Sequence, residues 1–170
     1  DGAWGTDRYE TLFFNAGGTG ARPGRDGLSA TAFPSGVKAM PIEVVESNAP
    51  IVIWRKELRP DSAGNGRFRG GFGQDIEVST IDGRPCGLFA MFDRTTVQAR
   101  GREGGMNGSF GKLGLKSGGT LDPKGFQIIG PGERMFFELP GGGGHGPVSD
   151  RSPDQIEGDR KAGLFTDKKS

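Results

Sequence analysis

The chain of 170 residues contains a single cysteine and a single histidine. One cysteine excludes an internal disulfide and a zinc site built from cysteines, and one histidine cannot form a metal site. A lone thiol fits a reducing compartment, so we expect a cytoplasmic protein. The sequence has no stretch approaching the about 18 consecutive apolar residues that a membrane-spanning helix requires, and we expect no membrane segment.

An excess of charge of either sign is also missing. The chain has 22 Lys and Arg residues against 21 Asp and Glu residues, which gives a net charge of +1. Both halves of the sequence are balanced, so a large basic face for nucleic acid is not expected. The same balance argues against disorder, because chains that are disordered by composition usually carry a large net charge.

Glycine is abundant, with 33 positions, and proline adds 11 more. Both residues interrupt helices, and they are spread along the whole chain, which excludes a helical bundle. Short apolar segments separated by Gly and Pro turns favour strands. We therefore predict a mainly β fold, with antiparallel strands, long glycine-rich loops and one short C-terminal helix.

The first strand signals lie in a glycine-free stretch. Residues 42–44 alternate between apolar and polar, and 51–54 form the continuous β-branched run of a strand buried on both faces. Between them, 47–50 supply turn residues. The sequence predicts two strands joined by this turn.

Later segments repeat the pattern. Residues 76–81 alternate, and the sequence Asp82-Gly83 separates them from the apolar run 86–92, which predicts a β-hairpin. Residues 126–129 and 135–139 flank another turn, and Met135, Phe137 and Leu139 would share one face of their strand.

One helix start is well marked. Ser152 is placed as an N-cap, Pro153 as the first helical residue and Gln155 as the third, with Gly163 as the stop. Residues 100–108 lack periodicity and predict a long surface loop.

Two glycine bends contain arginine. Residues 18–24 and 64–70 both have the spacing G-x-G-x-x-x-G. Successive N–H groups in such bends can cradle an anion, and arginine adds a planar fork for carboxylate or phosphate. The alternative is that the glycines serve tight connections and close packing, which spacing alone favours. The candidate anion- or substrate-binding arginines of these bends are Arg22, Arg25, Arg67 and Arg69.

The second bend lies in a locally basic stretch, 55–69. An anionic ligand or an acidic partner would suit this charge, but so would a solvated strand edge whose charges discourage pairing. The sequence 67–73 also resembles one unit of an arginine–glycine RNA-binding segment. Such segments act by repetition, and only one copy is present.

His145 lies in a loop of almost bare backbone, 141–146. The glycines could let a substrate or another subunit approach the imidazole closely, so His145 is a further candidate binding residue. Asp150 is the nearest orienting carboxylate in sequence. No catalytic constellation and no set of metal ligands can be assembled from spacing, so catalytic residues stay unassigned.

Ordered motifs run through most of the chain. They are Gly17-Gly-Thr-Gly-Ala-Arg-Pro-Gly-Arg-Asp-Gly27, Pro41-Ile-Glu-Val-Val-Glu46, Glu57-Leu-Arg-Pro-Asp-Ser62, Gly64-Asn-Gly-Arg-Phe-Arg-Gly-Gly-Phe-Gly73, Pro140-Gly-Gly-Gly-Gly-His-Gly146 and Arg151-Ser-Pro-Asp154. Together they closely resemble the hydantoinase B/oxoprolinase family, which includes the B subunit of ATP-dependent N-methylhydantoinase, 5-oxoprolinase and the large subunit of acetone carboxylase.

The resemblance implies part of a larger enzyme. Family members are several times longer, so residues 1–165 are expected to be the C-terminal part of such a subunit, with 166–170 as a polar tail. A hydantoinase A-type ATPase subunit would use ATP and Mg²⁺ to activate a cyclic amide of the hydantoin or 5-oxoproline class, which the B component helps to hydrolyse. The implied partners are that subunit, the rest of its own subunit and a small-molecule substrate. A divalent metal would belong to the missing N-terminal part, with no cofactor on these residues, and the fragment alone should be inactive.

Two other interpretations stay open. The chain could be a non-catalytic domain that forms the subunit interface of such a complex. It could also be an RNA- or anion-binding module built on its arginine–glycine segments.

Overall fold

In the described residues, two short strands precede the first helix, six strands follow it, and a second helix comes last. A computed structural model describes residues 2–4, 7–32 and 35–166. The strands are β1 (Gly2–Trp4), β2 (Asp7–Tyr9), β3 (Ile51–Leu58), β4 (Gln74–Thr80), β5 (Cys86–Met91), β6 (Lys112–Leu115), β7 (Lys124–Ile129) and β8 (Met135–Glu138); the helices are α1 (Ile42–Asn48) and α2 (Pro153–Lys161), with a 3₁₀ turn at Val148–Asp150.

The strands form three antiparallel sheets. Four strands pair in the order β3-β4-β8-β6, while β1 pairs with β2 and β5 pairs with β7. This confirms the predicted mainly β, antiparallel fold with a C-terminal helix. Within the described ranges, no helix is both long and apolar enough to cross a membrane.

The main core lies on one face of the four-stranded sheet. In β4, every second residue is buried, and Ile76 and Val78 face the same side. They pair in register with Phe137 and Met135 of β8. Met135, Phe137 and Leu139 are all buried, as predicted from their spacing.

The predicted strand at 42–44 is wrong, because these residues begin α1. Three alternating residues fit the first turn of a helix as well as a strand, since Ile42 and Val45 then share one face three positions apart. Val45 is buried. Glu46 ties α1 to the sheet, because its Oε1 accepts a hydrogen bond from the N–H of Ile53 at 2.7 Å.

The prediction that 51–54 is buried on both faces is also wrong. β3 is an edge strand of the sheet. The pairing with β4 shifts register between Ile53 and Arg55, and Trp54 is 54% exposed there. Arg134 covers one face of the Trp54 ring, with its guanidinium carbon 4.1 Å from the ring.

The predicted β4–β5 hairpin does not form. The turn exists, with Gly83 at φ +68°. However, β4 pairs with β3 and β8, whereas β5 pairs with β7. The turn is instead held to the turn after β7, because Gly132 N–H donates to the Gly83 carbonyl at 2.7 Å. Long-range pairing overrides the local hairpin signal.

Helix α2 begins and ends as predicted. Pro153 is its first residue, although the Ser152 side chain makes no capping bond. Gly163 has φ +70° and donates to the Arg160 carbonyl at 2.9 Å, and Leu164 donates to the Asp159 carbonyl at 3.0 Å. This pair of bonds is the usual glycine-terminated helix end. Of the predicted polar tail, 167–170 lie outside the described residues.

Candidate functional site

Four segments without regular secondary structure pack side by side through their backbones. We call them the glycine array and define it as residues 17–28, 62–73, 99–109 and 140–146. The fourth segment is central, and its glycines 141–144 are buried. A Cβ atom on these glycines would overlap a carbonyl oxygen of Ser62, Thr19, Arg100 and Asn65, respectively. Only glycine permits this close approach.

Several N–H groups in and beside the two arginine-bearing bends are used within the array. Gly18 donates to Pro140 at 2.9 Å, Gly71 to Thr19 at 2.8 Å and Gly64 to Gly142 at 2.8 Å. These amides therefore face carbonyls of neighbouring segments rather than an open anion cradle. Of the two interpretations of the glycines, the structure supports close packing.

The bends themselves lie together. The Gly27 N–H donates to the Arg69 carbonyl at 2.7 Å. Arg22 and Arg25 bond to each other through their backbones at 3.2 and 3.0 Å, and both side chains are exposed. Arg22 also borders a groove of about 450 Å³ with Leu28 and Pro140.

Arg69 binds carboxylates of the chain itself. Its Nε lies 3.1 and 3.0 Å from the two oxygens of Asp159 in α2, and its backbone N–H donates to Asp26 Oδ1 at 2.9 Å. Its guanidinium also lies 4.6 Å from the Phe72 ring. The structure thus places this candidate in an ion-pair cluster beneath α2.

Arg151 completes that cluster, and sequence reasoning missed its role. Its side chain is 5% exposed and donates to both oxygens of Asp26, at 3.0 and 2.9 Å, and to Asp159 at 2.7 Å. Burial lowers the pKa of Arg151, but the two carboxylates outweigh that effect and raise it above the ordinary value. No local pattern marks the Arg151–Asp26 pair, because 125 positions separate its members.

Arg67 and His145 lie in a second groove, of about 490 Å³. We call it the Arg67–His145 groove; its polar lining comprises Arg67, Glu103, His145 and Asp150, and its apolar lining includes Phe68 and Pro147. Residues Phe68 and His145 exchange two backbone hydrogen bonds, at 2.9 and 2.8 Å, and their rings lie 6.5 Å apart. The Arg67 guanidinium lies over the Phe68 ring at 5.4 Å. The structure thus brings two of the predicted candidates together.

The stretch 100–108, predicted as a surface loop, supplies one wall of this groove. Most of its side chains are exposed, as predicted. Its glycines are nevertheless part of the array, because a Cβ on Gly105 or Gly108 would overlap the carbonyl of Gly144 or Gly141.

Two other arginines of the basic stretch are paired along the sheet edge. Arg55 lies 3.2 Å from Asp75, and Arg59 lies 2.9 Å from Glu138. Ser62 is buried, where it accepts from Gly73 N–H at 2.9 Å and donates to the Arg59 carbonyl at 2.7 Å. These contacts favour the strand-edge interpretation of the local charge.

The metal and nucleotide chemistry implied by the sequence resemblance can be tested against these side chains. Among the described residues, no three His, Cys, Asp or Glu side chains group closely enough to hold a metal ion. The amides of Gly18, Gly64 and Gly71 in the array donate to backbone carbonyls. These side chains therefore do not fit a metal ion.

Comparison with known proteins gives consistent matches over most of the chain. A family model described as hydantoinase B/oxoprolinase matches residues 3–148. A 5-oxoprolinase of Dictyostelium discoideum is 32% identical over 143 residues, which cover 81% of this chain and 11% of that protein. The B subunit of a putative D-/L-hydantoinase from Pseudomonas sp. is 29% identical, covering 91% of this chain and 27% of that protein.

A solved structure resembles the fold as well. The crystal structure of ATP-dependent caprolactamase from Pseudomonas jessenii matches with a TM-score of 0.70 and 26% identity, covering 88% of this chain and 28% of that chain. The chain thus spans 11% of the length of the oxoprolinase and about a quarter of the length of the other two proteins.

Proposed function

The chain belongs to the hydantoinase B/oxoprolinase family, and from this premise we propose that it is part of a subunit of an ATP-dependent enzyme that hydrolyses a cyclic amide. We propose further that residues 1–165 form the C-terminal part of that subunit. The observation that carries the proposal is the likeness in fold and sequence to ATP-dependent caprolactamase over 88% of the chain.

The chemistry explains why two components are needed. A lactam is stabilised by amide resonance, so water attacks its carbonyl carbon slowly. Transfer of a phosphoryl group to the amide oxygen turns that oxygen into a leaving group and divides one difficult step into two easier ones. We assign ATP and Mg²⁺ to a hydantoinase A-type partner subunit and any divalent metal to the rest of the B-type subunit.

This chain contributes a rigid wall with positive charge. The glycine array fixes the backbone of both residues 67 and 145 by hydrogen bonds, including Arg67 N–H to Gly146 at 3.2 Å. A guanidinium held on such a frame stabilises negative charge without having to reorganise during the reaction. Arg67 and His145 are therefore the residues we propose to face substrate.

The test is coupled turnover in the complete enzyme. The protein is purified with its ATPase partner, and ADP release is measured with hydantoin, 5-oxoproline or caprolactam. We expect one of these cyclic amides to stimulate ADP release, with ring-opened product formed in step. ATP hydrolysis that no cyclic amide stimulates would refute the proposal, as would ring opening by the 170 residues alone.

A specific surface favours the second candidate, an interface domain. The ribbon of β5 and β7 buries Ala90 and Ile129 on its inner face. Its outer face is formed by Phe89, Met91, Phe126 and Ile128, which are 65%, 61%, 57% and 68% exposed. Phe89 and Phe126 are direct cross-strand partners. An apolar face of this kind marks an interaction site.

The area of this face favours the rest of the same subunit as its occupant. Side chains of this class have on the order of 200 Å² each, so the four expose roughly 500 Å² in total. A stable complex of separate chains buries about 800 Å² on each partner. The hydantoinase and caprolactamase relatives contain more than three times the matched length, which supplies ample chain to cover the face without a cost in association.

Thiol labelling tests this occupant. In a Cys86→Ser background, Phe126→Cys is labelled in the 170-residue chain and in the complete subunit. We expect strong protection only in the complete subunit, while Ser117→Cys, which is exposed on a turn, is labelled in both. Equal labelling of residue 126 in both would exclude the interface, and protection in the isolated chain at high concentration would indicate a second copy instead.

A further inference from the structure

We propose that the Arg67–His145 groove binds the amino acid released when a lactam ring opens, with the carboxylate at Arg67 and the ammonium at Glu103. This inference rests on the proposed function and names the class of molecule that the groove accepts. Hydrolysis adds water across the amide: the C–N bond breaks, a C–O bond forms to the water oxygen, and the nitrogen takes both protons of the water, which leaves a carboxylate and an ammonium group. For an unsubstituted lactam such as caprolactam, the product is an aliphatic chain with a carboxylate at one end and an ammonium group at the other.

The cationic side of the groove has unused binding capacity. Within the described residues, the Arg67 guanidinium forms no ion pair and no hydrogen bond, and its contact is the Phe68 ring. Arg69, two residues away, is bound to Asp159 and Asp26. A guanidinium whose contact is an aromatic ring keeps its N–H donors available for a bidentate carboxylate.

The acidic side of the groove is held in a strained conformation. Glu103 has φ +49° and Gly104 has φ +86°, and the Gly105 N–H closes the turn onto the Arg102 carbonyl at 2.8 Å. A turn with two positive φ values prefers Asn-Gly or Asp-Gly, so glutamate at its first central position is strained. Among the described residues, no cation pairs with Glu103, so the strained carboxylate is presented unpaired at the groove.

The apolar part of the groove lining suits a methylene chain. Phe68, Pro23 and Pro147 provide apolar lining, and the groove volume of about 490 Å³ falls within the size range of small-molecule sites. One wall carries Arg67 and His145, and the lining also includes the acidic residues Glu103 and Asp150. A ligand with a single charge would leave either the cationic or the acidic residues of the groove without a partner.

Binding of 6-aminohexanoate, hexanoate and hexylamine to the purified protein tests the proposal by calorimetry. We expect 6-aminohexanoate to bind at least about tenfold more tightly than either singly charged analogue, because each charged contact contributes about a factor of ten. Arg67→Ala should reduce its affinity to that of hexylamine, and Glu103→Asn to that of hexanoate.

Matched variants separate binding from folding. Glu103→Asn relieves the backbone strain, so it should raise the stability of the fold while lowering affinity for 6-aminohexanoate, which a purely structural role would not produce. Arg102→Gln changes the neighbouring charge outside the groove lining and should leave affinity within twofold. Equal binding of hexanoate and 6-aminohexanoate, or no binding at millimolar concentration, would overturn the inference.

The outcome is independent of the turnover assay. If a cyclic amide stimulates ADP release but 6-aminohexanoate does not bind, the proposed function stands and the groove assignment fails. If the zwitterion binds selectively but no cyclic amide is turned over, the groove is a binding site and the proposed function fails.

Discussion

Arg151 donates two parallel hydrogen bonds to Asp26, at 3.0 and 2.9 Å, although 125 positions separate them in sequence. Arg151 precedes α2, and Asp26 lies in the first arginine-bearing bend. The bond therefore fastens the helix to the glycine array. Asp159, inside α2, accepts from Arg151 and Arg69 on the same side, so one cluster holds both the helix and the second bend.

Replacing Arg151 by alanine should lower the free energy of unfolding by about 3 kcal/mol. The change removes a nearly fully buried guanidinium and leaves the carboxylates of Asp26 and Asp159 without their main partner, which is costlier than losing a surface pair. Urea unfolding followed by circular dichroism measures the loss. Lys161→Ala is the control, because its ion pair with Glu157 is 3.6 Å long and both side chains are exposed, and we expect a change within about 0.5 kcal/mol. Equal effects of both substitutions would contradict the prediction.

The same cluster should make the fold sensitive to acid. Burial raises the pKa of Asp26, but the hydrogen bonds and charges of Arg151 and Arg69 outweigh it and hold the pKa below the ordinary 3.8. A lowered folded-state pKa stabilises the fold above pH 3.8, and this contribution is lost as the pH falls through the folded value.

Unfolding measured between pH 7 and pH 2 checks that expectation. We expect the free energy of unfolding to fall below about pH 4. In Asp26→Asn, which cannot ionise, the decline should be smaller and the stability at pH 7 lower. An identical pH profile in the two proteins would show that Asp26 does not contribute.

Local patterns predicted local structure well. The alternation at 76–81 is β4, the spacing of Met135, Phe137 and Leu139 gives a buried face, and Gly163 ends α2. These features depend on neighbours within a few residues, which one sequence displays directly.

Contacts between distant segments were not predictable. The turn predicted at Asp82-Gly83 was correct. However, β4 and β5, the strands on either side of it, pair with strands that no local pattern indicates. The sequence shows where the candidate arginines lie along the chain but not what their side chains contact. In the structure, Arg67 lies in a groove, whereas Arg69 is bound to Asp159. The two have equivalent sequence surroundings, and the fold alone separates them.

The glycine array should tolerate almost no side chain at its centre. A Cβ atom on Gly142 would overlap the carbonyl oxygen and carbon of Thr19, which are backbone atoms and cannot rotate away. We expect Gly142→Ala to cost more than about 3 kcal/mol, above the usual range for overpacking, and to reduce soluble yield.

Gly158→Ala is the matched control for that substitution. Gly158 lies in α2, and apart from its chain neighbours and the helix's own backbone no atom stands within 4 Å of a Cβ built there. Alanine in a helix is favoured over glycine by up to about 1 kcal/mol, so this variant should be more stable than the parent. Thermal unfolding of both variants tests the pair, and a soluble, equally stable Gly142→Ala protein would show that the array is not tightly packed.

Asp75 should destabilise the fold at neutral pH. Its burial raises its pKa above 3.8, an effect that Glu138 and Glu57 reinforce and that Arg55 and Arg59 only partly oppose. Its Oδ1 is buried and accepts no hydrogen bond. A raised folded-state pKa means that the fold binds a proton more readily than the unfolded chain, so stability decreases as the pH rises through this range.

Asp75→Asn tests this directly, since the amide has nearly the same shape and no charge. We expect a higher free energy of unfolding than the parent at pH 7 and no difference near pH 3, where the carboxyl of the parent is also neutral. Glu57→Gln, a half-exposed partner of Arg55, is the control and should have little effect at either pH. A loss of stability in Asp75→Asn at pH 7 would mean that its ion pair with Arg55, at 3.2 Å, outweighs the cost of burying the charge.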